Sequence, residues 1–158
     1  EADEITLIWL LFPHSPTDVP TRHVAFEAIL THNLDHTGLT DTTIVFDRVL
    51  TNIGNGYTRD IGIFIVPVSG VYIFSMTVHG DYGSQNFVSL MVNGVRYTSI
   101  DVDAGGDKRF IMSSSRTSIV KLNPNDHVYA QIWKESRGNV VSYDIGHTSF
   151  AGALLFEN

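Results

Sequence analysis

Gly62-Ile63-Phe64-Ile65-Val66-Pro67-Val68-Ser69-Gly70-Val71-Tyr72-Ile73-Phe74-Ser75 is the stretch on which the fold turns. From Tyr72 the residues alternate: Tyr72, Phe74, Met76 and Val78 share one side, while Ser75, Thr77 and His79 share the other. A repeat of two is the signature of a β-strand, because successive side chains point to opposite faces. Pro67 and Gly70 punctuate the run. Proline presets φ for a tight turn, and glycine suits a turn or a close approach of two backbones. Phe64, Tyr72 and Phe74 are expected in the core, each contributing roughly 1.5–3 kcal/mol when fully buried.

The same period extends outward. Val88, Leu90 and Val92 alternate with Phe87, Ser89 and Met91, and Val128, Ala130 and Ile132 alternate with His127, Tyr129, Gln131 and Trp133. Turn chemistry separates the runs at 52–56, 67–70, Asn93-Gly94, Gly105-Gly106 and Asn123-Pro124-Asn125-Asp126. Asn-Gly between alternating apolar residues is a strong hairpin signal, since both central positions of a type I′ turn need positive φ. No window carries a helical stripe, so the chain is predicted to be all-β, a sandwich or barrel of about eight to ten short strands.

Some strands are apolar on both sides. Ile61, Ile63 and Ile65 oppose Gly62 and Phe64; Phe150, Leu154 and Phe156 oppose Ala151, Ala153 and Leu155. A sandwich strand ordinarily keeps one wet face, so a second dry one implies cover by another copy of the chain or by the apolar segment Ile5–Phe12. That segment is too short for a membrane helix and lacks the basic flank of a signal peptide. Pro13, Pro16 and Pro20 follow it, so residues 1–20 are expected to be an apolar segment with a Pro-rich linker and 21–158 the globular domain.

Bulk composition excludes several classes of function. The chain has 158 residues, a net charge of −7 and only 10 Lys and Arg, with no basic patch to displace counterions from a nucleic acid. It has no cysteine, which removes disulfides, thiolate zinc sites and Cys nucleophiles. There is no Asn-x-Ser/Thr acceptor, no Gly-x-Ser-x-Gly elbow, no His-Glu-x-x-His and no phosphate loop. The expectation is a binding protein, not an enzyme.

Several blocks, in order, resemble the globular C1q domain: Val24-Ala25-Phe26-Glu27-Ala28, Ile44-Val45-Phe46-Asp47-Arg48-Val49, Asn52-Ile53-Gly54-Asn55-Gly56-Tyr57, the opening stretch above, Val88–Gly94 and Ser149–Leu155. The resemblance implies a ten-strand jelly-roll β-sandwich of the C1q/TNF-like type that packs as a homotrimer around a threefold axis and is secreted. Two departures stand out. There is no Gly-x-y collagen repeat, and Asn125-Asp126 stands where many members have Gly-Asp. Short stalkless chains of this kind are similar to the invertebrate set, bivalve molluscs especially, linked to innate immunity.

The resemblance also directs attention to the loop His79-Gly80-Asp81-Tyr82-Gly83-Ser84-Gln85-Asn86. Some C1q-type trimers bind calcium there, and Asp81, Gln85 and Asn86, repeated about an axis, would offer the hard oxygens that calcium needs. Asp101, Asp103 and Asp107 form a second acidic loop without a complete calcium-chelating pattern. Of seven histidines only His32 and His36 are close in sequence, in a connection expected to be irregular, so the scatter reads as hydrogen-bonding surface residues. Candidate ligand-binding residues are Asp81, Tyr82, Trp133, Arg137, Tyr143 and Asp144, combining loop polar groups with aromatic platforms. The expected role is lectin-like pattern recognition of microbial or cellular glycans or lipopolysaccharide by a multivalent trimer. The alternatives are a TNF/C1q-like ligand for a cell-surface receptor and an extracellular calcium-binding structural protein.

Overall fold

A computed structural model describes residues 22–37, 40–105, 111–143 and 145–158. The apolar segment and linker, Asp107 and Asp144 lie outside the described residues. Among those described there are thirteen strand segments and no helix: β1 (Ala25–Ile29), β2 (Leu34–Asp35), β3 (Thr42–Thr43), β4 (Arg48–Ile53), β5 (Tyr57–Thr58), β6 (Ile63–Ile65), β7 (Gly70–Gly80), β8 (Gln85–Val92), β9 (Val95–Asp103), β10 (Met112–Leu122), β11 (His127–Ile132), β12 (Asn139–Val140) and β13 (Ser149–Glu157). They form two antiparallel sheets. The first runs β2-β12-β7-β13-β1-β4, with β10 also on β7; the second runs β5-β6-β11-β8-β9, with β3 on β11.

Aromatic rings fill the space between the sheets. Phe26 stacks on Tyr57 at 5.0 Å and on Phe64 at 4.8 Å, and meets Phe150 edge-on at 4.9 Å. The period-two reading of β7 holds here, since Tyr72, Phe74, Met76 and Val78 are all buried. Buried hydroxyls need partners; Tyr57 donates to the Phe46 carbonyl at 3.2 Å and Tyr72 to that of Val68 at 2.7 Å. Burial pushes the Tyr57 phenol well above its usual range. Gly152 in β13 is required by this packing, because a Cβ there would stand 2.6 Å from Phe74 and 2.7 Å from Phe26.

The outer face of the first sheet is graded. One row across five strands reads Ile119, Ile73, Ala153, Ala25, Ile53, and the next reads Thr117, Ser75, Ala151, Glu27, Thr51. Towards the Gly80 end the face turns polar, with Ser115 beside Thr77 and Ser113 beside His79. Its middle is a shallow groove of about 370 Å³ lined by small side chains such as Ala25, Ser75, Ala151 and Ala153. Ile119 and Ile53, the ends of the apolar row, are 58% and 52% exposed.

Three expectations change. Phe156 does not share the core side of Phe150: a bulge between Leu154 and Phe156 rotates it outward to 53% exposure. Ile61 lies in a turn before β6 and is exposed, so that strand is shorter than its pattern. On the second sheet the side that carries Ile63 and Ile65 is half-buried instead of dry, and Ser89 of β8 is buried, with the Trp133 indole N–H donating to its hydroxyl at 2.6 Å. Among the described residues, nothing covers the apolar row of the first sheet, whose ends Ile119 and Ile53 stay exposed.

Candidate functional site

The connection from β7 to β8 is a compact turn bonded to itself. The Ser84 N–H and hydroxyl both donate to the Asp81 carbonyl, at 3.0 and 2.7 Å. The Asp81 carboxylate accepts the Tyr82 N–H at 2.8 Å, and the Asp81 N–H donates to the Asn139 carbonyl at 3.1 Å, tying the turn to β12. Gly83 sits at φ 71°, where a side chain would be strained. These bonds hold the turn's shape through its backbone and leave the Tyr82 ring half exposed.

Beside it, the segment from β12 to β13 is anchored by Thr148 and by Ser142, whose N–H donates to Asn33 Oδ1 at 3.1 Å and whose hydroxyl donates to the Leu30 carbonyl. Thr148 is fully buried; its Oγ1 accepts the His79 N–H at 3.1 Å and donates to the Val141 carbonyl at 2.7 Å. The Val141 N–H returns a bond to the His79 carbonyl at 2.8 Å. Tyr143 in this segment has φ 51°, uncommon for a bulky residue and a mark of local strain. Its ring is half exposed and meets the His79 and His147 rings edge-on, at 6.3 and 5.7 Å. The two imidazoles lie 4.8 Å apart between ring centres. Burial, then His147, hold His79 below the ordinary histidine range, partly offset by the charge of Asp81.

Asp81, Tyr82 and Tyr143 therefore share one end of the sandwich, where local desolvation, then the charges of Asp81 and Tyr82, raise the Tyr143 phenol. Arg137 stands alongside. It exchanges backbone bonds with Gln85 at 2.8 and 2.9 Å, and its guanidinium donates to Gln85 Oε1 at 3.0 Å. Gln85 in turn donates to Asp103 at 3.4 Å. Trp133 is elsewhere, on the outer face of the second sheet, with the Arg96 guanidinium 3.4 Å above its ring and Phe87 stacked at 5.8 Å.

The side chains considered for calcium already make hydrogen bonds within the chain, though Asn86 Oδ1 is buried without a partner among the described residues. Gln85 Oε1 already accepts Arg137, and Asn86 is buried, its amide donating to Ser84 and to the Asn139 carbonyl. No three His, Asp or Glu side chains among the described residues are grouped so as to hold an ion. The sequence-adjacent histidines are split: His32 faces Asp47 at 3.6 Å, while His36 is fully buried with neither ring nitrogen hydrogen-bonded. His79 and His147 were not singled out as a pair, because only the antiparallel register of β7 and β13 brings them together.

A family model described as "C1q domain" matches residues 25–155. A Mytilus edulis protein named "Heavy metal-binding protein HIP" is 31% identical over 137 residues, which are 85% of this chain and 62% of that protein's length. The globular domain of zebrafish complement 1qA protein superposes with a TM-score of 0.66 at 16% identity, covering 85% of this chain and 99% of that one. Murine APRIL superposes with a TM-score of 0.60, also at 16% identity, over 85% of this chain and all of its own (100%).

Proposed function

Given that this chain belongs to the C1q-domain family, we propose that it is an extracellular recognition protein whose copies pack as a trimer through the first sheet and present their Gly80-end loops to glycans. The observation that carries this is the apolar row Ile119, Ile73, Ala153, Ala25, Ile53, which no other described residue covers. Small residues at its centre let a neighbour approach closely, and isoleucines at its ends supply area whose burial is worth about 25 cal/mol per Å². Three loop ends on one rigid body convert weak sugar contacts into avidity. The contacts would come from Asp81, Tyr82, Arg137 and Tyr143, which combine a carboxylate, a guanidinium and exposed rings. Calcium held by Asp81 where copies meet stays compatible with this arrangement.

Native mass measurement and a glycan array with and without calcium test the reading together. The expected result is a trimer that Ala153→Glu dissociates, and array signals that Tyr82→Ala and Arg137→Ala abolish. A folded monomer, or a trimer silent on the array, would defeat it. Saturable capture of one cell-surface protein, insensitive to sugars, would instead support a receptor ligand.

The Mytilus relative, named as a heavy metal-binding protein, supports a second reading, the binding of a heavy metal by this chain. Titrating the purified protein with Zn2+ and with Ca2+ separates this from a calcium role.

A further inference from the structure

His79 and His147 are paired where the end of β7 meets the segment before β13. Two imidazoles sharing one ion at about 2.0–2.1 Å, with an angle at the metal of about 90–110°, have ring centres about 4.5–5.2 Å apart. The observed separation is 4.8 Å, with the ring planes inclined at 54°. The Nδ1 of His79 is hydrogen-bonded to the Ser113 hydroxyl at 2.8 Å. Such a bond fixes a ring's orientation and leaves its other nitrogen for a metal, the part that a carboxylate, carbonyl or water more often plays behind a ligating histidine. The backbones that carry the two rings are tied together, since Thr148 bonds the His79 N–H and the Val141 carbonyl and directly follows His147.

We infer that His79 and His147 form a two-histidine site for a borderline divalent ion such as Zn2+ or Cu2+. This rests on the metal reading above and gives it a location. Imidazole nitrogen suits these ions, whereas calcium wants six to eight oxygens. With two protein ligands, the remaining positions belong to water or to a donor from outside the chain. Asp81 lies near enough to act electrostatically on His79, so the site carries a compensating negative charge on one side.

The test is calorimetry of the native oligomer with Zn2+, and electron paramagnetic resonance of the Cu2+-loaded protein. The wild type is expected to bind Zn2+ and to show two nitrogen donors on Cu2+. His147→Gln, on an outer segment where folding is not at risk, and His79→Gln should each weaken Zn2+ binding by about a hundredfold and leave one nitrogen donor; Ser113→Ala should weaken it by about tenfold. His32→Gln should change nothing. If the wild type binds Zn2+ and both variants bind equally well, the site is wrong and the metal reading survives. If the wild type binds neither ion, both fall.

Discussion

At the Gly70 end of the sandwich, the turn carboxylate and amide are consumed in bonds that tie one turn to another; at the Gly80 end, Ser84 and Thr148 hold the backbone while the Tyr82 and Tyr143 rings stand outward. In the first case the Asp126 carboxylate accepts the Asn123 N–H at 2.7 Å and the Asn93 amide at 2.8 Å, while Asn93 Oδ1 accepts the His127 N–H at 2.8 Å. The polar groups are consumed in stitching the β8–β9 hairpin to the turn before β11. In the second case Ser84, Thr148 and the main chain of Asp81 and Asn139 carry the hydrogen bonds. The half-exposed Tyr82 and Tyr143 rings are then left for other partners. Loops on a rigid scaffold carry recognition when their shape does not depend on the side chains they display.

The largest effect that would break this contrast is at Thr148. Thr148→Val keeps the shape but removes the hydroxyl, leaving the His79 N–H and the Val141 carbonyl without that partner. Stability should fall by about 1–3 kcal/mol, read by denaturant unfolding, and Zn2+ binding should weaken with it as His147 loses its register.

Asp126→Asn probes the other end. The Asn123 N–H, then the Asn93 amide, hold this carboxyl below its ordinary range against a smaller effect of burial. Its folded pKa lies under the unfolded one, so its stabilisation is complete above the ordinary carboxylate range and disappears as pH falls through the folded value. The group is partly solvated, so the loss at neutral pH should be about 1 kcal/mol. The gap between wild type and variant should close as pH is lowered from about 6 to about 2. Zn2+ and glycan binding should not move, and a change in either would show that the two ends are coupled.

The smallest effect is at Asn125, whose φ of 69° lies in the left-handed region. This accounts for the glycine that many members carry there, since asparagine tolerates that region less well than glycine does. Asn125→Gly should leave binding untouched and change stability by no more than about 0.5 kcal/mol in thermal melts.

The strands, their inward faces and their turns were legible because period two and turn propensities are local: neighbours within a few residues carry the signal. Tyr72, Phe74, Met76 and Val78 lie where alternation puts them, and Asn93-Gly94 turns where it should, at φ 51° and 80°. The grouping of Asp81 with Tyr82 was implied by adjacency, and Tyr143 joined them only through the sheet. Phe156 misled, because a bulge is a property of two paired strands and leaves no trace in one of them. Trp133 looked like a free platform until Arg96, from a strand two places away in the sheet, was found over its ring.

The sequence by itself determined the all-β class, the buried aromatic core and the presence of a second apolar face. Tertiary structure decided which face stays uncovered, which polar groups are spent and which two of the seven histidines meet. Alternation is written along a single strand, whereas register is set between strands distant in the chain, where packing of the whole sandwich selects one pairing.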